Sequence, residues 1–268
     1  MLIKAFAKVN LTLDVTGKRS DGYHDLRSLM HTIDMYDEVE LVKSDAFSFE
    51  CNEPLPSDNT AMRAAMRYFT AAGLDGGVHI LLTKHIPSEA GLGGASADAA
   101  GVLRGLQTMY GALSEPELFS VARSVGADVP FCLHGGAALA EGIGEKLTPI
   151  KRQPLSLLVV KPAEGVSTKM LFSALRLPVK HPSTESAIEA YNAFDLQRLG
   201  NCMENALEPT AALSVPSIIE IKRRMLSCGA LGSCMTGSGS AVIGLFESTA
   251  AAKNAADNFG GLPFVAIG

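Results

Sequence analysis

Ile86-Pro87-Ser88-Glu89-Ala90-Gly91-Leu92-Gly93-Gly94-Ala95-Ser96-Ala97-Asp98-Ala99-Ala100 turns an alternating apolar run into a helical repeat through a glycine-rich loop. Gly91, Gly93 and Gly94, broken only by Leu92, let the backbone approach a bulky group closely. Ser96 stands where an N-cap would open a helix, whose first turn would present N–H groups and partial positive charge to an anion. Behind it Ala99, Val102, Leu103 and Leu106 recur at the i, i+3, i+4, i+7 spacing of a buried stripe, and Gly101 and Gly105 leave room for a close neighbour. Taken alone, such a cluster also reads as a tight strand-to-helix turn. As a ligand for the loop, a phosphate group fits best. No Gly-Lys-Ser/Thr triplet occurs, which excludes a Walker A loop. The dinucleotide fingerprint fails too, because Ser96 stands where the third glycine belongs and the loop lies a third of the way along the chain.

Pro87, Gly91, Leu92, Gly93 and Ser96 resemble the phosphate loop shared by the GHMP kinases. The run from Ala90 to Ala100 is most similar to the branch of that family whose substrate carries a cytidine diphosphate group. Ala7-Lys8-Val9-Asn10-Leu11, Gly22-Tyr23-His24-Asp25-Leu26 and Gly126-Ala127-Asp128-Val129-Pro130 extend the resemblance over nearly the whole chain.

With 268 residues, 47% of them hydrophobic, the chain can bury the cores of two medium domains. A net charge of −5 without a basic run argues against broad binding of nucleic acid or a membrane surface. Met1 to Lys8 alternates and is expected to be neither signal peptide nor anchor, and no run approaches the ~18 apolar residues of a spanning helix. The five cysteines are odd in number and form no Cys-x-x-Cys pair, so reduced thiols and a cytoplasmic location are expected. The six histidines show no zinc spacing.

Along the chain, every odd position from Ile3 to Val15 is apolar, which predicts one strand or two with a single buried face. Lys8, Asn10, Thr12 and Asp14 share the opposite face, where a lone lysine would ordinarily be solvated. A loop from Gly17 to Leu26 sets Tyr23 beside His24, and Val39 to Val42 predicts a further strand. Ser57-Asp58-Asn59 opens a helix over Ala61 to Ala72, striped by Met62, Ala65, Met66 and Phe69 and ended by Gly73. Val78, Ile80 and Leu82 form the strand feeding the glycine loop, with Lys84 read as a solvated lysine at its rim. Ser114-Glu115-Pro116-Glu117 is a capping box, opening a helix that buries Leu118, Val121, Ala122 and Val125 and stops at Gly126. Asp128 by itself reads as a turn or cap residue.

A boundary near Lys151 to Pro154 then precedes strands at 155–160, 231–235, 241–246 and 264–267 and helices from Ser167, about Ser183, Pro216 and Ser248. Their β-α-β-β-α-β order is that of a ferredoxin-like layer. Gly135 to Ala140 reads as a strand and Gly142 to Glu145 as a turn; Thr236-Gly237-Ser238-Gly239-Ser240 reads as a hairpin turn, and Phe172 as a helix core residue.

The resemblance implies an α+β, two-domain fold. Its N-terminal domain, 1–152, would be like domain 2 of ribosomal protein S5 and carry the phosphate loop at 87–97; its C-terminal domain, 153–268, would be ferredoxin-like. It also implies transfer of the γ-phosphoryl group of ATP to a hydroxyl of a small cytidine-diphosphate-bearing substrate, by positioning and charge stabilisation. Asp128 would face that hydroxyl, with Lys8 beside it; an ammonium within ~4–6 Å favours the carboxylate form. Pro87, Ser88, Glu89, Ala90, Gly91, Leu92, Gly93, Gly94, Ala95, Ser96 and Ala97 would hold the triphosphate, with Asn59 and Lys84 near the adenosine. Asn10, Tyr23, His24 and Phe172 would bind the substrate, a ring face stacking on the cytosine and an imidazole bonding its edge. Magnesium would bridge phosphate oxygens, with no protein ligand assigned. The family's third glycine-rich motif, matching the 236–240 turn, lies against its active cleft.

Two residues depart from the family's pattern: Glu89 brings negative charge to the loop and is expected to point outward, and Ala95 replaces a glycine, which is tolerable where φ is negative. The rival readings are a homoserine- or mevalonate-type GHMP kinase, for which cytosine contacts have no use, and a non-catalytic binding protein on the same fold.

Overall fold

The computed structural model describes residues 1–176 and 184–268. The alternation at the start of the chain forms β1 (Leu2–Asn10) and β2 (Thr12–Lys18), burying Ala5, Ala7, Val9, Leu11, Leu13 and Val15. β3 (His24–Ser44) is one continuous strand, so the loop expected up to Leu26 ends instead at Tyr23. After β4 (Ser48–Cys51), α1 (Thr60–Ala72) begins at Asn59, whose side chain accepts the Met62 N–H, and ends at Gly73 in the left-handed conformation. Its buried stripe is Ala61, Ala64, Ala65, Tyr68 and Phe69, whereas Met66 is exposed. The expected stripe was rotated because Tyr68, which spends its hydroxyl on Gln107, packs as a core residue.

β5 (Gly77–Thr83) leads through the glycine loop into α2 (Gly94–Tyr110), followed by α3 (Glu115–Val125) behind its capping box. Next come a short α4 (Val129–His134), which the sequence did not announce, and the hairpin of β6 (Ala137–Gly142) and β7 (Lys146–Ile150). The remainder is β8 (Ser156–Lys161), α5 (Thr168–Ala174), α6 (Thr184–Asn192), α7 (Leu196–Cys202), β9 (Glu204–Asn205), α8 (Glu208–Ser214), α9 (Ser217–Ser227), β10 (Gly232–Met235), β11 (Val242–Phe246), α10 (Thr249–Ala256) and β12 (Phe264–Ile267). The helix start expected at about Ser183 lies outside the described residues.

These elements form two compact units interleaved along the sequence. The first holds Met1–Lys8, Met35–Ile86 and Gly93–Gly135; the second holds Val9–Asp34, Pro87–Leu92 and Gly136–Gly268. In the first, the later half of β3 pairs antiparallel with β5, and β4 adds to β5 in parallel. α2 lies close on this layer because Gly101 faces Ala5 and Val39, and Gly105 faces Ile3 and Leu41, with no space for a side chain at Gly105. Ala99, Val102, Leu103 and Leu106 are fully buried, as their spacing predicts.

In the second unit β2, β3, β6 and β7 pair antiparallel in succession, and β9 joins β2 in parallel. A separate four-stranded antiparallel sheet has the order β10-β11-β8-β12, with helices between β8 and β10 and α10 between β11 and β12. This is the expected ferredoxin-like arrangement. Its core joins Leu158, Val160, Val242 and Phe246 to Ile218, Ile221, Met225 and Phe259, each burial contributing roughly 1.5–3 kcal/mol.

One polar group in the second unit sets a pH limit on stability. His31 is buried, with Nδ1 2.9 Å from the Tyr191 hydroxyl, which in turn accepts the Gln153 N–H at 2.8 Å. Burial, reinforced by Arg152, pushes its pKa down to about 3. The unfolded chain, with a histidine pKa of about 6.5, takes up the proton first, so stability is full above that value and falls as pH drops towards the folded pKa. Urea titrations from pH 7 to pH 4 should show wild-type protein losing stability more steeply than His31→Gln, by up to ~1.4 kcal/mol per pH unit. Parallel curves would remove His31 from the acid limit.

Candidate active site

Lys8, near the end of β1, is not solvated: its side chain is 5% exposed and its Nζ lies 3.2 Å from Oδ2 of Asp128, which is 33% exposed. Asp128 occupies the N-cap position of α4 but makes no side-chain cap bond; its carboxylate faces Lys8 instead. The stem of Lys8 runs past Gly93, where a Cβ would come within 2.9 Å of Lys8 Cγ and 3.0 Å of Cε. Gly93 is the N-cap of α2, with φ 71°, and this left-handed cap corrects the expectation that Ser96 opens the helix. Glycine reaches that conformation at little cost, so the helix starts three residues earlier and Ser96 falls within its first turn.

No side chain caps α2, and its first bond joins the Ala97 N–H to the Gly93 carbonyl at 2.8 Å. The amides of Gly94, Ala95 and Ser96 therefore lie outside the helical ladder, where an anion can take them up. The Ser96 hydroxyl lies beside Gly126, two residues before Asp128. Thr60 at the start of α1 donates its hydroxyl to the Ala95 carbonyl at 2.7 Å, tying the amino ends of the two helices together. Within the first unit, a cation, a half-buried carboxylate and a helix amino end thus meet.

Below that end lies a cluster that the sequence reading missed. Lys84 is buried, not at the rim: its Nζ is ion-paired with Asp37 and lies 2.7 Å from Asp98 Oδ2. Asp37 also accepts the main-chain N–H groups of His85 and Ile86, which begin the loop. Burial would lower the Lys84 pKa, but Asp98 and Asp37 more than offset it and hold it above the ordinary value. Burial also pushes the Asp98 carboxyl up, to about 7, against the pull of Lys84. A signal was present: Asp98 and Val102 are i, i+4, so an acid stands on the buried stripe of α2. Asn59 is spent on α1, its Oδ1 accepting from Met62 and its Nδ2 donating to the Pro56 carbonyl.

In the second unit, the early part of the loop is laced to the 236–240 turn. Glu89 and Ala90 carbonyls accept the Ser240 and Ala241 N–H groups at 3.0 and 3.2 Å. Gly91, with φ 72°, has the Thr236 carbonyl where a Cβ would go. The Thr236 hydroxyl accepts the Asn10 N–H at 2.9 Å, so this turn does more than join two strands. Glu89 is exposed, with φ 52°, and lies over Gly165, while Ala95 keeps a negative φ.

Asn10 is buried and donates from Nδ2 to Ser28 Oγ at 2.7 Å. Tyr23 is 60% exposed, whereas His24 is buried and stacks on Phe172 of α5, ring centroids 5.1 Å apart and planes 27° from parallel. Phe172 is therefore only partly a helix core residue. Burial, then Lys18, lowers the His24 pKa below its usual value and leaves a neutral imidazole at pH 7. Among the described residues, no three His, Cys, Asp or Glu side chains gather to hold a metal ion.

Comparison with known proteins matches residues 59–136 to the GHMP kinases N terminal domain and residues 185–261 to the GHMP kinases C terminal domain. The chain is 44% identical over 266 residues to 4-diphosphocytidyl-2-C-methyl-D-erythritol kinase of Caldicellulosiruptor saccharolyticus, covering 96% of this chain and 92% of that one. It is likewise 44% identical over 267 residues to the enzyme of that name from Clostridium botulinum, covering 96% and 95%. A crystal structure of 4-(cytidine 5'-diphospho)-2C-methyl-D-erythritol kinase superposes with a TM-score of 0.88 at 39% identity, over 100% of this chain and 98% of that one. Homoserine kinase from Cytophaga hutchinsonii shares the fold, with a TM-score of 0.75 at 24% identity over 100% and 93% of the two chains.

Proposed function

This chain belongs to the GHMP kinases, and from that membership we propose that it transfers the γ-phosphoryl group of ATP to the 2-hydroxyl of 4-diphosphocytidyl-2-C-methyl-D-erythritol. The products are the 2-phosphate and ADP, a step of the non-mevalonate route to isopentenyl diphosphate. The observation that carries the reading is the Lys8–Asp128 pair, 3.2 Å apart, against the Gly93 cap of α2. Asp128 takes the proton of the 2-hydroxyl as its oxygen attacks the γ-phosphorus. Lys8 offsets the negative charge on the phosphoryl oxygens. The free amides of Gly94, Ala95 and Ser96 hold the phosphates in line. Magnesium would come with the nucleotide; since the described residues offer no cage for it, no step is assigned to it.

His24 and Phe172 present an aromatic surface with a neutral imidazole, suited to a cytosine ring and its edge, and Tyr23, the preceding residue, is exposed and open to the same ligand. His24→Ala and Phe172→Ala should each raise KM for the cytidyl substrate at least ~10-fold while leaving KM for ATP within about twofold. A matched rise in both constants would detach these rings from substrate selection.

The functional domains are taken as 1–152 and 153–268, following the order of the two family segments. The five free thiols suit a reducing, cytoplasmic setting. An ATP-consumption assay offering the cytidyl substrate, homoserine and mevalonate in turn tests the function. Turnover with the first alone is expected; preference for either of the others would overturn the assignment.

A further inference from the structure

Two carboxylates and one ammonium are sealed beneath the amino end of α2, and their hydrogen bonding is uneven. Asp37 is fully engaged: one oxygen takes the His85 and Ile86 N–H groups, the other takes Lys84. Asp98 gives Oδ2 to Lys84, but its Oδ1 is buried with no hydrogen-bond partner. A tie between β5 and β3 needs only Asp37 and Lys84. The added carboxylate leaves an orphaned oxygen, which disfavours the fold and is poor evidence for a purely stabilising role.

Placement suggests what the cluster does. A Cβ on Gly94, the first residue of α2, would lie 3.3 Å from Lys84 Nζ, so the ammonium stands directly under the amides that meet the phosphates in the proposed reaction. Asp98, one turn into the same helix, brings negative charge to an end whose partial positive charge attracts anions. Low-dielectric surroundings let both charges act across the width of the loop.

We propose that Lys84 is a positioning residue for the nucleotide: held by Asp37 under Gly94, its ammonium cancels the Asp98 carboxylate and keeps the amino end of α2 attractive to the phosphates of ATP. Lys84 acts through the helix, since its side chain is 5% exposed and both neighbouring carboxylates hold it inward. The inference rests on the kinase reading and deepens it. It makes a prediction with a sign: losing the cation and losing the acid should move ATP affinity in opposite directions.

The test is calorimetric titration of the full chain with ATP at pH 8, where the Asp98 carboxyl is ionised, together with titration by the cytidyl substrate and a thermal melt. Lys84→Met should weaken ATP binding at least ~10-fold and leave binding of the cytidyl substrate within about twofold. Asp98→Asn, isosteric and still able to accept from Lys84, should tighten ATP binding by about two- to fivefold, and adding it to Lys84→Met should restore most of the loss. Should Lys84→Met fail to fold, Asp98→Asn alone decides: unchanged or weaker ATP binding overturns the proposal, because the substitution removes the negative charge beneath the amides while keeping an oxygen for Lys84. Binding is read without turnover, so a chain that binds ATP as described yet ignores the cytidyl substrate would sink the functional reading and leave this one standing.

Discussion

Asp128→Asn should lower turnover at least ~10²-fold while the protein melts within a few degrees of wild type, because it removes the proton acceptor but keeps a side-chain oxygen that can accept from the buried Lys8 ammonium. Asp128 caps no helix with its side chain and is partly open to solvent, so an amide fits in its place. Lys8→Ala should cost as much in turnover and more in stability, since the stem of Lys8 is packed against Gly93. The two groups act on one transferring group, so the double variant should fall little below the worse single one; fully multiplicative losses would mean that they work separately. Rates near wild type in either single variant would refute the assigned roles. Single-turnover measurement with the cytidyl substrate separates the chemical step from product release.

Gly91→Ala should be the most damaging substitution in the loop itself. Its φ of 72° is one that a side chain disfavours by roughly 1–2 kcal/mol, and the new Cβ would meet the Thr236 carbonyl. Loop and turn must then part, straining the Ser240 and Ala241 bonds to Glu89 and Ala90. We expect at least ~2 kcal/mol of destabilisation in urea titrations and a loss of kcat/KM exceeding ~10-fold. Ala95→Gly is the matched control, because Ala95 has a negative φ and sits in a helical turn; it should cost at most ~1 kcal/mol and little activity. Equal damage from the two would show that crowding at Thr236 is not what the loop depends on.

Much of this was legible from local pattern. Period-two alternation placed β1, β2 and β5, and the Ser114 capping box and the glycines at 73 and 126 marked where helices begin and end. Ala99, Val102, Leu103 and Leu106 of the expected α2 stripe are buried, and Ala97, Asp98 and Ala100 are buried with them. The failures are long-range. Whether Lys84 faces water or two carboxylates depends on Asp37, forty-seven positions earlier, and no spacing within one element reports that. The α2 cap went to Gly93 instead of Ser96 because glycine's left-handed conformation outbid side-chain capping, a choice that depends on where Lys8 passes. α4 is too short to show a period, and Asp128 before it read by itself only as a turn or cap residue.

The interleaving of the two units bears on how the chain is born. Strands laid down at 9–34 pair with each other but also belong with material beginning at 136, so the earliest-made part of the second unit must wait for its remaining neighbours while the rest is translated. Newly emerged β2 and the first half of β3 expose hydrogen-bonding edges throughout that interval, which makes nascent chains candidates for chaperone holding. Cutting the gene after codon 152 would therefore be expected to yield an aggregating fragment, not a free-standing half.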